Sequence, residues 1–189
     1  MIRSVKPFTL VGDGVVLDAP RADDIDRIAG FCADPDFERF MTTPWPYTRT
    51  HAEHFVTTYV PLGWTTGRER TWAIREHTEL VGVIGLRMHS LTVADLGFWL
   101  GAPHRGRGLM SASVRLVADW AFGDGGIELL HWECVPGNVA SAAVARATGF
   151  RFTGVGTAHV PSRDGRHGDA WRGERRPGDT GIHPAGWPL

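Results

Sequence analysis

Apolar and polar positions along the chain alternate with period two or with helical spacing, in short stretches separated by Gly, Pro and Asp. Val15-Val16-Leu17 predicts a first short strand, which Pro20 closes. Asp23 and Asp24 then put acidic side chains where the free N–H groups of a helix start favour negative charge. Ile25, Ile28, Phe31 and Cys32 form one apolar stripe on that helix, which should end near Asp34-Pro35. Thr50-His51-Ala52-Glu53 fits a capping box. It predicts a second helix carrying Phe55, Tyr59 and Val60 and stopping at Pro61.

Strands are predicted over residues 70–75, 80–88 and 95–100. In the last, Leu96, Phe98 and Leu100 alternate with Asp95, Gly97 and Trp99. Their turn signals are closely spaced, which favours antiparallel pairing. A helix over 111–122 carries Val114, Val117, Ala118 and Ala121 on one side, and the glycines of 123–126 break it. A strand over 127–135, the turn Pro136-Gly137, an Asn138 helix cap and an alanine-rich helix over 139–148 follow. Gly149 suits the left-handed residue that ends a helix. A strand over 150–161, a hairpin-type loop over 162–168 and a last strand starting at 169–171 complete the order, which is that of a mixed α+β domain. We expect one domain over 1–172 and an irregular tail over 173–189, rich in Gly and Pro.

Composition changes this picture little. With 42% hydrophobic and 22% charged residues among 189, the chain can bury one sizeable core. A net charge of -1 argues against nucleic acid or an anionic membrane as partner. Cys32 and Cys134 could form one disulfide, but a pair this far apart in sequence is more often two buried thiols in a reducing compartment. Residues 1–10 lack the apolar core of a leader, and no run reaches the ~20 apolar residues of a membrane span. A cytoplasmic location is the expectation.

Chemistry concentrates after Leu100. A strand, the turn 101–108 and a helix beginning near Leu109 form a unit that presents unpaired backbone N–H groups to an anion. Gly106 and Gly108 allow close backbone approach, and Arg105 and Arg107 add charge. The turn lacks the Gly-Lys-Ser/Thr ending of a Walker loop and the glycine spacing of a dinucleotide fingerprint.

Leu96-Gly97-Phe98-Trp99-Leu100, followed by Pro103-His104-Arg105-Gly106-Arg107-Gly108-Leu109-Met110, resembles the acetyl-CoA motif of the GNAT N-acetyltransferases. Arg105 and Gly108 match the motif, and Met110 stands where a small residue is usual. Asn138-Val139-Ala140-Ser141 with Gly149-Phe150 is similar to the segment of the branch that acetylates ribosomal-protein N-termini. Val16 to Ile28 and Trp45-Pro46-Tyr47-Thr48 resemble the same branch.

The resemblance implies a twisted, mostly antiparallel sheet with helices on both faces and central strands 95–100 and 127–135 splayed apart. Acetyl-CoA would be the co-substrate, bound by Trp99, Leu100, Arg105, Gly106, Arg107, Gly108, Leu109, Met110, Asn138 and Ser141. Ser141 would sit near the coenzyme sulfur and protonate the leaving thiolate. A homodimer is also compatible with it.

Acyl transfer to an amine needs a group to take up a proton. Asp95 and Glu133, on the two splayed strands, are the candidates, and His131 shares the Glu133 face by alternation. His51 and His54 lie at i, i+3 without a third ligand, so no metal is expected. Trp45 and Tyr47, between the two early helices, are the substrate-binding candidates. Trp64 and Trp72 are first of all core aromatics. Cys134 alternates away from the Glu133 face, which argues against a covalent acyl-enzyme.

The leading function is therefore acetyl transfer from acetyl-CoA to a primary amine, on a protein N-terminus or a small molecule, by direct attack. The alternatives are a catalytically weak or inactive CoA-binding regulatory domain and a structural domain with an unused glycine turn.

Overall fold

Asp13 and Gly14, at φ 50° and 77°, turn the chain between Leu10–Gly12 (β1) and Val15–Asp18 (β2), a hairpin of which only the second strand was predicted. The computed structural model describes residues 6–179, 181–183 and 185–189. Residues 1–5, within the segment read for a leader, and Thr180 and Pro184 of the tail lie outside the described residues.

Beyond the hairpin come Glu69–Glu76 (β3), Glu79–Met88 (β4), Val93–Leu100 (β5), Leu129–Cys134 (β6), Arg151–Thr157 (β7) and Asp169–Arg175 (β8). They form one sheet in the order β1-β2-β3-β4-β5-β6-β8-β7. Every neighbouring pair is antiparallel except β5 and β6, which run parallel.

Helices cover both faces. Leu109–Phe122 (α5) and Val139–Ala147 (α6) pack on one face, where Val114, Val117, Ala142 and Ala145 join Trp72, Ile74 and Leu96 in the main core. Ile25–Cys32 (α1), Pro35–Phe40 (α2) and Arg49–His54 (α3) contribute Ile25, Ile28, Phe37 and Ala52 to a second core around Ala73, Leu80 and Val83. Alternation along β3 divides its side chains between the two, Trp72 and Ile74 to one and Ala73 to the other.

Several local expectations are corrected. The helix cap is Thr48, not Thr50: its side chain accepts from the His51 N–H, and the His51 ring caps in return. Pro61 does not stop the helix. Phe55–Tyr59 forms a wide π turn, and Pro61 falls in the first turn of Val60–Thr66 (α4), where its missing N–H costs nothing. The α2 helix was not foreseen, although Asp34 caps it and Pro35 opens it. The last strand runs to Arg175, three residues past the expected boundary, because it pairs with both β6 and β7. In the segment read as irregular, Trp187 is buried against Trp132 and Phe152, with ring centroids 5.5 and 5.3 Å apart.

One buried ion cluster was invisible to pattern reading. Arg75 of β3 donates to Asp18 at 2.6 Å and to both oxygens of Asp24 at 2.9 and 2.8 Å, tying β2 and the start of α1 to the sheet. Burial tends to raise the Asp24 pKa, but the Arg75 and Arg21 hydrogen bonds overcome it and hold the carboxyl below its ordinary value.

Candidate active site

The two parallel strands part halfway along. β5 and β6 pair from Val93 with Leu129 to Leu96 with Trp132, and no further. β5 continues to Leu100 on β4, while β6 continues to Cys134 on β8. Facing edges over Gly97–Leu100 and Glu133–Cys134 are thus left without each other, and a cavity of about 780 Å³ opens there. Gly97, Phe98 and Trp99 wall it on one side, and Glu133, Cys134 and Val135 on the other. Gly82 allows the β5 end to press onto β4, since a Cβ there would stand 2.3 Å from the Trp99 carbonyl oxygen.

At the end of β5 the chain turns through Gly101 and a single 3₁₀ turn, Ala102–His104, into α5. Gly106 and Gly108 sit at φ +73° and +79°, and Gly108 is the α5 N-cap. A Cβ on either would meet nothing within 4 Å, so the space above both is open. The first-turn amides of α5 have no intrahelical acceptor, and the helix dipole stands behind them.

Both arginines of the turn are engaged elsewhere. Arg105 donates to the Leu100 carbonyl at 3.2 Å, to Asp34 at 2.9 Å and to Asp36 at 2.6 Å. Arg107 pairs with Glu76. The capacity of the turn to hold an anion therefore rests on backbone N–H groups. Leu109 is partly buried, and Met110 is buried in the main core, so its side chain does not crowd the turn.

The α6 start borders the same cavity. Asn138 Oδ1 accepts from the Ser141 N–H at 3.1 Å, so Asn138 caps the helix. Trp132 Nε1–H donates to Ser141 Oγ at 3.1 Å, which leaves the hydroxyl proton free for another acceptor. Cys134 also lines the cavity, together with Glu133. Burial first, and the nearby Glu133 charge second, push its thiol up to about 12, so it remains protonated.

Asp95 and Glu133 reach the cavity wall from opposite strands. The Glu133 oxygens accept the backbone N–H groups of Val160 at 3.0 Å and His159 at 2.9 Å, which commits the carboxylate to the chain leaving β7. Asp95 is 8% exposed and stands between two histidines. His89 Nε2 lies 2.6 Å from Asp95 Oδ2, and His159 Nδ1 lies 3.4 Å from Oδ1 and 3.8 Å from Glu133. Arg172 hydrogen-bonds His159 Nε2. His131 pairs across the sheet with Asp95, and its pKa is lowered chiefly by burial. Neither His89 nor His159 was legible as a site residue: 64 residues separate His159 from Asp95, and His89 sits in the turn between β4 and β5 without a local signal.

Donor atoms of His89, Asp95 and His159 lie within 4.8 Å of one another, a spacing that a divalent ion can bridge. Coordination through His159 Nδ1 would put an N–H on Nε2, against the Arg172 guanidinium, which is itself a donor. Of the two imidazoles only His159 hydrogen-bonds Asp95, whose Oδ2 is buried without a hydrogen-bond partner.

At the other end of the cavity, Tyr59 donates to Glu69 at 2.6 Å, and Arg87 reaches both at 3.4 Å. Tyr47, His51 and His54 line this end, and burial, with a smaller effect of Cys32, raises the Tyr47 pKa. Trp45 packs on the second core and is not in the cavity wall. Trp64 and Trp72 are core residues whose rings meet edge-on at 5.2 Å.

The chain belongs to the GNAT acetyltransferase family: residues 15–151 match the model of the Acetyltransferase (GNAT) domain. Probable N-acetyltransferase YjcK of Bacillus subtilis (strain 168) is 31% identical over 84 residues, which are 43% of this chain and 46% of that relative. The match thus spans under half the length of the curated relative. Among solved structures, Mycobacterium smegmatis RimJ in complex with CoA-disulfide superposes with TM-score 0.76 at 18% identity, covering 90% of this chain and 87% of that one. The Salmonella typhimurium acetyl transferase described as modifying the N-terminal serine of ribosomal protein L7/L12 gives TM-score 0.74 at 20% identity, covering 89% and 99%. At these identities the likeness establishes the fold. No helix among the described residues is long and apolar enough to cross a membrane.

Proposed function

We propose that this protein transfers an acetyl group from acetyl-CoA to a primary amine by direct attack in a ternary complex. The observation that carries the reading is the parting of β5 and β6 after Leu96 and Trp132, with the open Gly106–Gly108 turn at one strand end and the Asn138 cap at the other. The pyrophosphate would lie on the α5 amides, and the pantetheine arm between the strands. Ser141, its Oγ held by Trp132, would protonate the departing thiolate, and Asp95 would receive the acceptor's proton. A thiol kept protonated at Cys134 disfavours a covalent acyl-enzyme.

The description of the Salmonella neighbour favours a protein N-terminus as acceptor, with a small-molecule amine second. Free thiols at Cys32 and Cys134 fit a reducing, cytoplasmic setting. The test is release of CoA thiol from acetyl-CoA against a panel of peptides with free N-termini and small amines, with the acetylated product confirmed by mass spectrometry. Thiol release that depends on an amine supports the reading. Coenzyme binding without such release would make the protein a CoA-binding regulatory domain.

A further inference from the structure

Acetyl transfer to an ammonium group releases a proton. The nitrogen arrives with three hydrogens and keeps one in the amide. Of the two that leave, the CoA sulfur takes one as the C–S bond breaks and the N–C bond forms, and the other must reach solvent. On the cavity wall, Asp95 is the buried carboxylate that does not accept backbone N–H groups as Glu133 does. Its two oxygens face two different imidazoles.

We propose that Asp95 acts as proton acceptor only as part of a unit with His89 and His159, in which His159 positions the carboxylate and His89 passes the proton out. The inference rests on the acetyl-transfer reading above. Its geometry is specific at each atom. Arg172 can only donate, so His159 Nε2 is an acceptor and its hydrogen is on Nδ1. That Nδ1–H points at Asp95 Oδ1, with Glu133 at 3.8 Å on the same side. One carboxylate oxygen is thereby fixed, and the other, Oδ2, is buried without a hydrogen-bond partner, with His89 Nε2 2.6 Å away but out of line for a hydrogen bond, so a small turn of the His89 ring completes the path. The His89 side chain is 41% exposed, so an imidazolium formed there can lose its proton to water. Neither His89 nor His159 lines the cavity, whereas Asp95, which both approach, does.

Three other charged or titratable side chains surround the unit, and the His131 ring packs edge-on against His159 at 5.5 Å. Arg87 is the β4 partner of Asp95, but its guanidinium turns to Glu69 and Tyr59. On β6, His131 leans to Glu174 at 3.7 Å. Arg172, opposite Glu133 on β8, is the fixed cation that sets the His159 tautomer.

The test compares pH profiles of kcat and kcat/KM for the parent, His89→Gln and His159→Gln, with acetyl-CoA and an acceptor found active in the panel. We expect an acidic limb in the parent's profile. Each variant should lose that limb and at least ~10-fold in kcat, with KM for acetyl-CoA unchanged. Added imidazole should restore part of the rate in His89→Ala, which loss of a merely structural residue would not permit. Imidazole ¹⁵N spectra should show Nδ1–H on His159 in the parent and tautomer exchange in Arg172→Gln. Profiles like the parent's in both variants, or a divalent-ion requirement abolished by chelation, would overturn the inference and leave acetyl transfer standing. Absence of transfer by the parent would overturn both.

Discussion

Arg105 of the glycine turn donates to the Asp34 carboxylate at 2.9 Å, and Asp34 in turn caps α2 by accepting from Asp36 N–H at 3.0 Å. The turn is thus braced against a helix that precedes it by some seventy residues. If Arg105 is a brace and not a phosphate ligand, Arg105→Ala and Asp34→Ala should weaken acetyl-CoA binding alike. The pair is partly exposed, so each change should amount to ~0.2–1 kcal/mol, and the double variant should be no weaker than the worse single one. Calorimetric titration of the four proteins checks this. Tighter binding by Asp34→Ala would show instead that the carboxylate competes with phosphate for Arg105.

Ser141 joins stability to chemistry. Ser141→Ala removes the acceptor of Trp132 Nε1–H, and a buried donor left unpaired costs ~1–3 kcal/mol. The melting temperature should fall by several degrees. At a temperature where the variant is folded, kcat should drop at least ~10-fold with KM for acetyl-CoA little changed. A variant with a normal kcat would exclude Ser141 as the proton donor.

The element order and the glycine turn were legible because local rules govern them. Hydrophobic period places β4, β5, α5 and α6, and Gly108 at the head of α5 follows from its need for positive φ. Sequence spacing also put Asp95 and Glu133 on the two parting strands. What it could not give was the partners of those carboxylates. His159 and Arg172 reach the site only because β6 pairs with β8 and β8 with β7, a non-local arrangement without a local signal. Pro61 misled for a related reason: a proline ends a helix only when its ring or missing N–H is needed, and here the π turn before it removes the conflict.

The Asp18–Arg75–Asp24 cluster makes a separate prediction. Arg75→Ala would leave two buried carboxylates with only Arg21 as partner and should cost ~3 kcal/mol by urea denaturation at pH 7. In the parent, Asp24 has a folded pKa below its ordinary 3.8, so the unfolded chain binds the proton more readily. This contribution is present above that value and is lost as pH falls through it toward the folded pKa. The acid-side slope of stability should therefore be shallower in Arg75→Ala than in the parent.

Trp187 ties the last residues to the core, with its Nε1–H donating to the His183 carbonyl at 2.8 Å and its ring on Trp132 and Phe152. Trp187→Ala should cost ~3 kcal/mol. Because Trp132 holds Ser141, it should also lower kcat. Thermal melts and steady-state rates check both. An unchanged melting temperature would show that the segment is not part of the folded core.

The central claim is that the coenzyme arm occupies the gap where β5 and β6 part. Gly97 lines that gap, and a Cβ built on it meets nothing within 4 Å, so Gly97→Trp should fill the space without disturbing the strand. The measurement is a calorimetric titration of acetyl-CoA into the parent and into Gly97→Trp, with melting curves for both. The account predicts one site per chain in the parent and at least ~10-fold weaker binding in a variant that melts within a few degrees of it. No binding by the folded parent, or equal binding by both proteins, would contradict it.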